Sequence, residues 1–221
     1  MNKTDKIKFL RLLYQYRAMG FEYFYDYKPS KKFETTTYLS NDLEAIAKSV
    51  KGCYLCNLAK NRKNTVFGEG NIHAKVMFIG EAPGANEDEM GKPFVGRAGQ
   101  LLTKIIENVL QLQRKDVYIA NVIKCRPPEN RVPTPEEVGE CKPYLLQQIK
   151  LISPQIIVAL GATSFHHLTG EYDTPISKIR GEVLEFAGAK LIPTYHPSFL
   201  LRNPSAKKDV FEDMLKVKAM L

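Results

Sequence analysis

The hydrophobic and polar positions follow two different patterns along the chain, and the change falls near residue 50. The first part is rich in Tyr, Phe and Lys, with apolar residues at helical spacing from Ile7 to Tyr14. A second helical pattern, NDLEAIAKSV, ends this part. These patterns predict a largely helical N-terminal extension over residues 1–50 and a separate domain over residues 51–221.

From residue 72 onward, short apolar runs alternate with amphipathic helical patterns. The predicted strands are IHAKVMFIG, DVYIANVIK, QIIVALG, GEVLEFAG and KLIPTYHP. The predicted helices are AGQLLTKIIENVLQL, TPEEVGECKPYLLQQIKLI, ATSFHHL and SAKKDVFEDMLKVKAML. Thr134 and Glu137 match a capping box, and we expect Pro143 to kink or restart that helix just after Cys141. The alternation predicts an α/β fold, with a mostly parallel sheet covered by helices on both faces.

In sheets of this kind, ligands bind beyond the carboxyl ends of the strands. Three loops lie at those ends: GEAPGANEDE, the NVIKCRPPENR region and HPSFLLR. The first resembles a phosphate loop, but six residues separate Gly84 from Gly91, and Pro93 follows Lys92 where Ser or Thr is needed. Its four acidic residues would also repel phosphate, which argues against a nucleoside triphosphate.

Composition narrows the class of protein without deciding its function. The 221 residues are 44% hydrophobic and 25% charged, as in ordinary globular proteins. No apolar run is long enough to span a membrane, and the N-terminus lacks a cleavage-site pattern, so we expect a cytoplasmic protein. The net charge of +8 is compatible with a nucleic acid partner, but many basic proteins bind nothing acidic.

The four cysteines are Cys53 and Cys56, spaced C-x-x-C, and the single residues Cys125 and Cys141. A disulfide framework is disfavoured in a cytoplasmic chain, and no strand precedes C-x-x-C as a thioredoxin-like site requires. Four thiolates suit a metal site, and either zinc or a [4Fe–4S] cluster accepts them. Scattered buried thiols are the alternative.

Four side chains at the predicted loops are candidates for binding or catalysis. Glu81 directly follows a strand, and Phe94 could either stack on a planar ligand or pack in the core. Asn121 lies in an otherwise apolar strand, where its amide could read a base edge or serve structure alone. His196 ends a strand before Pro197 and could stabilise a developing anion.

Several motifs occur together in one order: C-x-x-C, GEAPG, PFVG-x-AG-x-LL, NVIKCRPP-x-NR, a further Cys and a late HPS. From about Cys53 to the C-terminus the chain closely resembles the family 4 uracil-DNA glycosylases. The resemblance implies the uracil-DNA glycosylase fold, a three-layer α/β/α arrangement around a mostly parallel four-stranded sheet. It also implies a [4Fe–4S] cluster held by Cys53, Cys56, Cys125 and Cys141, and a monomer that acts on uracil-containing DNA and not on membranes.

The resemblance also implies roles for single residues. Phe94 matches the position that stacks on the flipped uracil. Asn121 matches the residue that reads the edge of the base, and His196 matches the residue that faces uracil O2. Glu81 and Ala82 match the loop that holds the attacking water. In the family 1 enzymes an Asp stands where this chain has Ala82, so either Glu81 takes over its role or the backbone and Asn121 hold the water. Two further groups follow from the same motifs: pocket-shaping acids (Glu87, Asp88) and DNA-contacting residues after HPS (Ser198, Leu200, Leu201, Arg202).

Leu200 or Leu201 would fill the stack that the base vacates, unless both belong to the core. A related enzyme type links covalently to DNA through a histidine on an inserted basic loop, and RPPENRVPTPEE contains no such histidine. Two other functions remain open: a non-catalytic iron–sulfur module that binds DNA, and a zinc-held scaffold for protein partners.

Overall fold

The computed structural model describes residues 39–221. The predicted helical pattern at Ile7–Tyr14 lies outside the described residues. Helix α1 (Leu43–Lys51) begins after Asp42, whose carboxylate oxygens accept hydrogen bonds from the backbone N–H groups of Glu44 and Ala45. Such a cap satisfies amides that have no partner within the helix.

A single sheet of six strands forms the centre of the domain. The strands are β1 (Glu69–Gly70), β2 (Val76–Gly80), β3 (Tyr118–Asn121), β4 (Ile156–Leu160), β5 (Leu184–Phe186) and β6 (Ala189–Thr194). Their order is β1-β3-β2-β4-β6-β5, and the four central strands are parallel. The mostly parallel sheet is confirmed, but the predicted number of four strands holds only for its parallel centre.

The two edge strands run antiparallel to their neighbours, which corrects the predicted count. β1 has only two residues, too few to produce a periodic pattern. β5 joins β6 through Ala187 and Gly188, whose φ values are 50° and 81°. Two consecutive positive φ values produce the tight turn typical of a hairpin, so these strands must pair antiparallel.

Helices cover both faces of the sheet and bury a separate apolar cluster on each. They are α2 (Ala85–Met90), α3 (Arg97–Ile105), α4 (Pro135–Ile152), α5 (Ala162–Thr169), α6 (Ile176–Ile179), α7 (Pro197–Arg202) and α8 (Lys207–Ala219). In β2, Met77 and Ile79 face the side of α4 and α5, whereas Val76 and Phe78 face α3 and α8. This alternation within a fully buried strand confirms the three layers.

Helix α4 differs from the prediction at one point. The capping box is confirmed, because Thr134 N donates to Glu137 Oε2 at 2.8 Å and Glu137 N donates to Thr134 Oγ1 at 3.3 Å. The predicted restart at Pro143 is wrong, since a single helix runs through it, and the alternative of a kink there stays a prediction. Proline removes one N–H donor, and the remaining turns of this 18-residue helix hold it together. No helix within residues 39–221 is both long and apolar enough to cross a membrane.

Candidate active site

A cavity of about 390 Å³ opens at the carboxyl ends of the four parallel strands. Because parallel strands all end at the same edge of a sheet, residues far apart in sequence meet there. The cavity is lined by Glu81, Ala82, Pro83, Gly84, Glu87, Phe94, Ala98, Asn121, Pro127, Asn130, Arg131, Leu160, Gly161, Ala162, Thr163, His196 and Ser198. Glu81, Phe94, Asn121 and His196, the four candidates named from the sequence, are all among them.

Asn121 is the last residue of β3 and lies beside Gly80 in the parallel register. Its side chain is 2% exposed, and Oδ1 has no hydrogen-bond partner among the described residues. A buried acceptor without a partner costs roughly 1–3 kcal/mol, so such an atom in a cavity indicates a site for a donor from a ligand.

The Phe94 ring lies beside Gly80, the neighbour of Asn121 in the sheet, and beside His196. A Cβ on Gly80 would stand 2.7 Å from Phe94 Cζ and 2.5 Å from Asn121 Oδ1, so both side chains occupy the space that the glycine leaves. The Phe94 and His196 ring centroids are 5.6 Å apart. Phe94 has a φ of 51°, which is unusual for a non-glycine residue and places its ring at the cavity.

Glu87 holds the backbone that carries Phe94. Glu87 Oε1 accepts hydrogen bonds from the N–H groups of Val95 and Gly96, both at 2.9 Å. Gly96 is also the N-cap of α3, so one carboxylate ties the Phe94 loop to the start of a helix. Glu87 lines the cavity as predicted, and its main contacts are with the protein backbone.

His196 is held as a neutral imidazole with a defined tautomer. Its Nδ1 accepts from Ser198 N at 3.1 Å and from the Ser198 hydroxyl at 2.7 Å. The proton of the neutral ring therefore lies on Nε2, which can donate. Burial lowers the pKa of His196 to about 4, and the nearby Arg202 charge acts in the same direction against the opposing influence of Glu87.

Glu81 lies directly after β2 with its carboxylate partly buried. Burial raises its pKa, and a hydrogen bond with the Thr163 side chain partly opposes that shift. Glu81 and Ala82 both line the cavity, and among these two only Glu81 has a group that can bind or accept a proton. A raised pKa at a carboxylate in a cleft is typical of functional sites.

Asp88 does not line the cavity, although the sequence analysis placed it in the pocket wall. Its side chain is 4% exposed, and Oδ1 accepts from the N–H groups of Lys63 at 3.0 Å and Asn64 at 3.2 Å. Within the six-residue helix α2, adjacent acids point in different directions, so Asp88 anchors the 63–64 segment while Glu87 faces the site.

Three polar residues in the cavity were missed from the sequence. Thr163 is the second residue of α5, which follows β4 directly, and the small residues at this strand end carry no conspicuous chemistry. Asn130 and Arg131 follow the paired prolines, and Asn130 has a φ of 55°. Glu137 holds Arg131 through two hydrogen bonds of 2.9 and 2.7 Å. The position of both segments just after strand ends was the signal that could have identified them.

The two leucines after HPS differ in exposure. Leu200 is 1% exposed and belongs to the apolar cluster on the α3 and α8 side, so it is a core residue. Leu201 is 39% exposed, and Arg202 beside it is exposed as well. Ser198 lines the cavity and contacts His196. Of the two leucines, only Leu201 is accessible to a partner.

The four cysteines line one small cavity between α1, α4 and the segment after β3. All are free thiols; Cys125 Sγ accepts from Arg62 Nη1 at 3.3 Å, and Cys141 Sγ accepts from Lys124 N at 3.2 Å. Burial raises the pKa of the Cys141 thiol to about 12. Within the described residues, no three potential ligands converge as a single metal ion would require.

The family model for the uracil DNA glycosylase superfamily matches residues 67–217. The chain therefore belongs to the uracil DNA glycosylase superfamily. It is 48% identical over 182 residues to the type-4 uracil-DNA glycosylase of Thermotoga maritima, covering 81% of this chain and 94% of that protein.

A second type-4 uracil-DNA glycosylase, from Saccharolobus solfataricus, is 48% identical over 82% of this chain and 87% of its own. The type-5 uracil-DNA glycosylase of Pyrobaculum aerophilum is 31% identical over 58% of this chain and 63% of its own. Within the superfamily the chain thus belongs with the type-4 enzymes, which confirms the resemblance found in the motifs.

Proposed function

We propose that this protein is a uracil-DNA glycosylase that hydrolyses the N-glycosidic bond of deoxyuridine in DNA and releases free uracil. The observation that carries the proposal is the unpartnered, buried Oδ1 of Asn121, which lies in the same cavity as a neutral His196. Membership of the type-4 enzymes agrees with this chemistry.

Asn121 reads the base. Its Oδ1 accepts from uracil N3–H and its Nδ2 donates to O4, which satisfies both edges of the amide. Cytosine has no proton on N3 and carries an amino group in place of O4, so it would leave both groups unpaired. A polar site rejects such a near-isostere more strongly than an apolar pocket can. Phe94 stacks on the ring of the bound base.

His196 stabilises the leaving group. As the glycosidic bond lengthens, negative charge builds on uracil O2, and the Nε2–H of a neutral imidazole donates to it. The hydrogen bonds from Ser198 to Nδ1 keep the proton on Nε2. Because the ring is neutral, this donor remains available without an ionisation step at ordinary pH.

Water then adds to a sugar with oxocarbenium character. Two acids line the cavity, and because Glu87 already accepts backbone hydrogen bonds through Oε1, Glu81 is the one that orients this water or accepts its proton. The path is dissociative, with bond stretching ahead of water attack, and differs from the two-carboxylate scheme of ordinary glycosidases.

The base must leave the double helix before it can enter the cavity, which costs a few kcal/mol in lost stacking. Leu201 fills the vacated stack, and its exposure five residues after His196 supports this role. Arg202, Lys207 and Lys208 are exposed on the same stretch and contact phosphates, in keeping with the net charge of +8.

The cysteine cavity fits an iron–sulfur cluster. Cys53, Cys56, Cys125 and Cys141 would hold a [4Fe–4S] cluster, whose four irons need ligands spread around a cage. Four thiolates accept either zinc or such a cluster, and the resemblance to the family 4 enzymes favours the cluster. Hydrolysis of this bond moves no electrons, so the cluster's contribution is structural.

The activity can be tested by incubating the protein with a single-uracil oligonucleotide and then adding alkali, which cuts the strand at any abasic site. We expect cutting at the uracil position and none in the matched cytosine strand. A uracil strand that remains uncut under enzyme excess would refute the proposal.

The same preparation separates the two alternatives. DNA binding without cutting would support a non-catalytic iron–sulfur module, and a colourless protein containing zinc would support a scaffold. The monomeric state and the cytoplasmic location stay predictions.

A further inference from the structure

Lys124 is among the largest fully buried side chains of the described residues, at 1% exposure. Lysine is almost never buried without a specific partner, so its contacts need an explanation. No ion pair among the described residues includes Lys124. Its partners are neutral oxygen atoms: Nζ donates to the backbone carbonyl of Asn121 at 2.8 Å and to Gln148 Oε1 at 2.6 Å.

The Gln148 contact extends into a largely buried network. Gln148 is 0% exposed, and its Nε2 donates to the Phe67 carbonyl at 3.0 Å and to the Tyr118 hydroxyl at 3.1 Å. The network therefore joins α4, both ends of β3 and the segment before β1. The hydrogen bond from Lys124 Nζ restrains the strand end that carries Asn121, whereas the Tyr118 bond lies at the opposite end of β3.

Lys124 also contacts the cysteine cavity through its backbone. Its N–H donates to Cys141 Sγ at 3.2 Å, and the next residue is Cys125. One residue thus contacts a predicted cluster ligand with its main chain and Asn121 with its side chain. The segment between them is fixed to β2 as well, because Val122 N donates to the Gly80 carbonyl at 2.9 Å and Ile123 N donates to the Glu81 carbonyl at 3.1 Å.

We propose that Lys124 is a positioning residue, which ties the Asn121 carbonyl to Gln148 and to the cysteine cavity and so holds the base-reading amide in its binding orientation. This inference rests on the proposed function. A reading group must be held to within about 0.5 Å by the groups behind it, and a bond to the Asn121 carbonyl restrains the backbone from which its side chain projects.

The test is Lys124→Met, which keeps an unbranched side chain of similar length and removes the donor. Binding is measured to duplexes whose target deoxyuridine or deoxycytidine carries a 2′-fluorine that blocks cleavage. We expect the uracil-to-cytosine affinity ratio to fall about tenfold, equivalent to ~1.4 kcal/mol. Iron content and visible absorbance should remain those of the wild type, which shows that the cysteine cavity is still loaded.

Tyr118→Phe is the matched control, because it removes one hydrogen bond of the same network at the end far from Asn121. We expect this variant to lose thermal stability while its affinity ratio stays within about twofold of the wild type. If Lys124→Met cannot be obtained folded, Gln148→Leu carries the test, since it removes one acceptor of Lys124 and should lower the ratio in the same direction.

An unchanged ratio in the folded Lys124 variant, or an equal fall in Tyr118→Phe, would overturn the inference and leave the network a role in stability alone. Failure of the proposed function would give a different experimental result. In that case the wild-type protein itself would not cut the uracil strand or distinguish uracil from cytosine.

Discussion

Replacing Gly80 with Ala tests the geometry of the base pocket with one added methyl group. Gly80 ends β2 in an extended conformation, so the backbone itself accepts alanine. The new Cβ would lie 2.5 Å from Asn121 Oδ1 and 2.7 Å from Phe94 Cζ. Ordinary contacts between such atoms start near 3.5 Å, so the reading amide and the stacking ring must each retreat by about 1 Å.

A misplacement of 1 Å at a reacting centre can lower a rate about 100-fold. We therefore expect kcat/KM for a uracil duplex to fall about 100-fold in Gly80→Ala, or ~2.7 kcal/mol of transition-state stabilisation. Overpacking should also lower the free energy of unfolding by ~1–3 kcal/mol. Both quantities can be measured on one preparation, by steady-state kinetics and by urea unfolding.

Gly139→Ala is the control, because an added Cβ there has no atom within 4 Å and the position lies within α4. Alanine favours a helix over glycine by about 1 kcal/mol, so this variant should be as active as the wild type and slightly more stable. A Gly80→Ala protein with wild-type kcat/KM would refute the placement of Asn121 and Phe94 around this glycine. A loss of activity no larger than the fraction of unfolded protein would refute it too.

Four further predictions follow from the site. Leu201→Ala should slow single-turnover excision about tenfold in duplex DNA and little in single strands, because only the duplex leaves a gap to fill; equal slowing in both would contradict a wedge. Excision by the wild type should decline as pH falls through the raised pKa of Glu81, whereas Glu81→Gln should give a slower rate without this acid limb, measured as a pH–rate profile. Histidine binds a proton near pH 6.5 in the unfolded chain, but folded His196 binds one only near pH 4, so lowering the pH between these values lowers the free energy of unfolding. Measured by urea unfolding, this loss should be up to about 3 kcal/mol larger in the wild type than in His196→Gln. Purified anaerobically, the wild type should contain about four irons per chain and Cys141→Ala clearly fewer, by metal analysis; zinc in the wild type would contradict the cluster.

The parallel centre of the sheet could be predicted because its strands are buried on both faces and appear as continuous apolar runs. Residues that follow such runs must meet at one edge, which is why Glu81, Asn121 and His196 could be grouped from the sequence. The direction of β5 could not be predicted in the same way. It depends on the positive φ values at Ala187 and Gly188, and alanine gives no signal for such a turn.

Other parts of the site depend on which way a side chain points within a short helix. Glu87 and Asp88 are adjacent acids in α2, and the sequence does not say which one faces the cavity. Leu200 and Leu201 pose the same problem in α7, where successive residues are about 100° apart around the axis. One of them reaches the core and the other the surface, and only the packing of α7 decides between them.

The backbone at Phe94 restricts how this pocket can evolve. With φ at 51°, residue 94 excludes β-branched amino acids, and a Cβ on Gly99 would lie 1.9 Å from the Phe94 carbonyl oxygen. Residues 94 and 99 thus form a constrained pair that tolerates few replacements. Mutant libraries designed for excision of a different damaged base should keep this pair unchanged. They should vary Ala82 and Thr163, which line the cavity with small side chains.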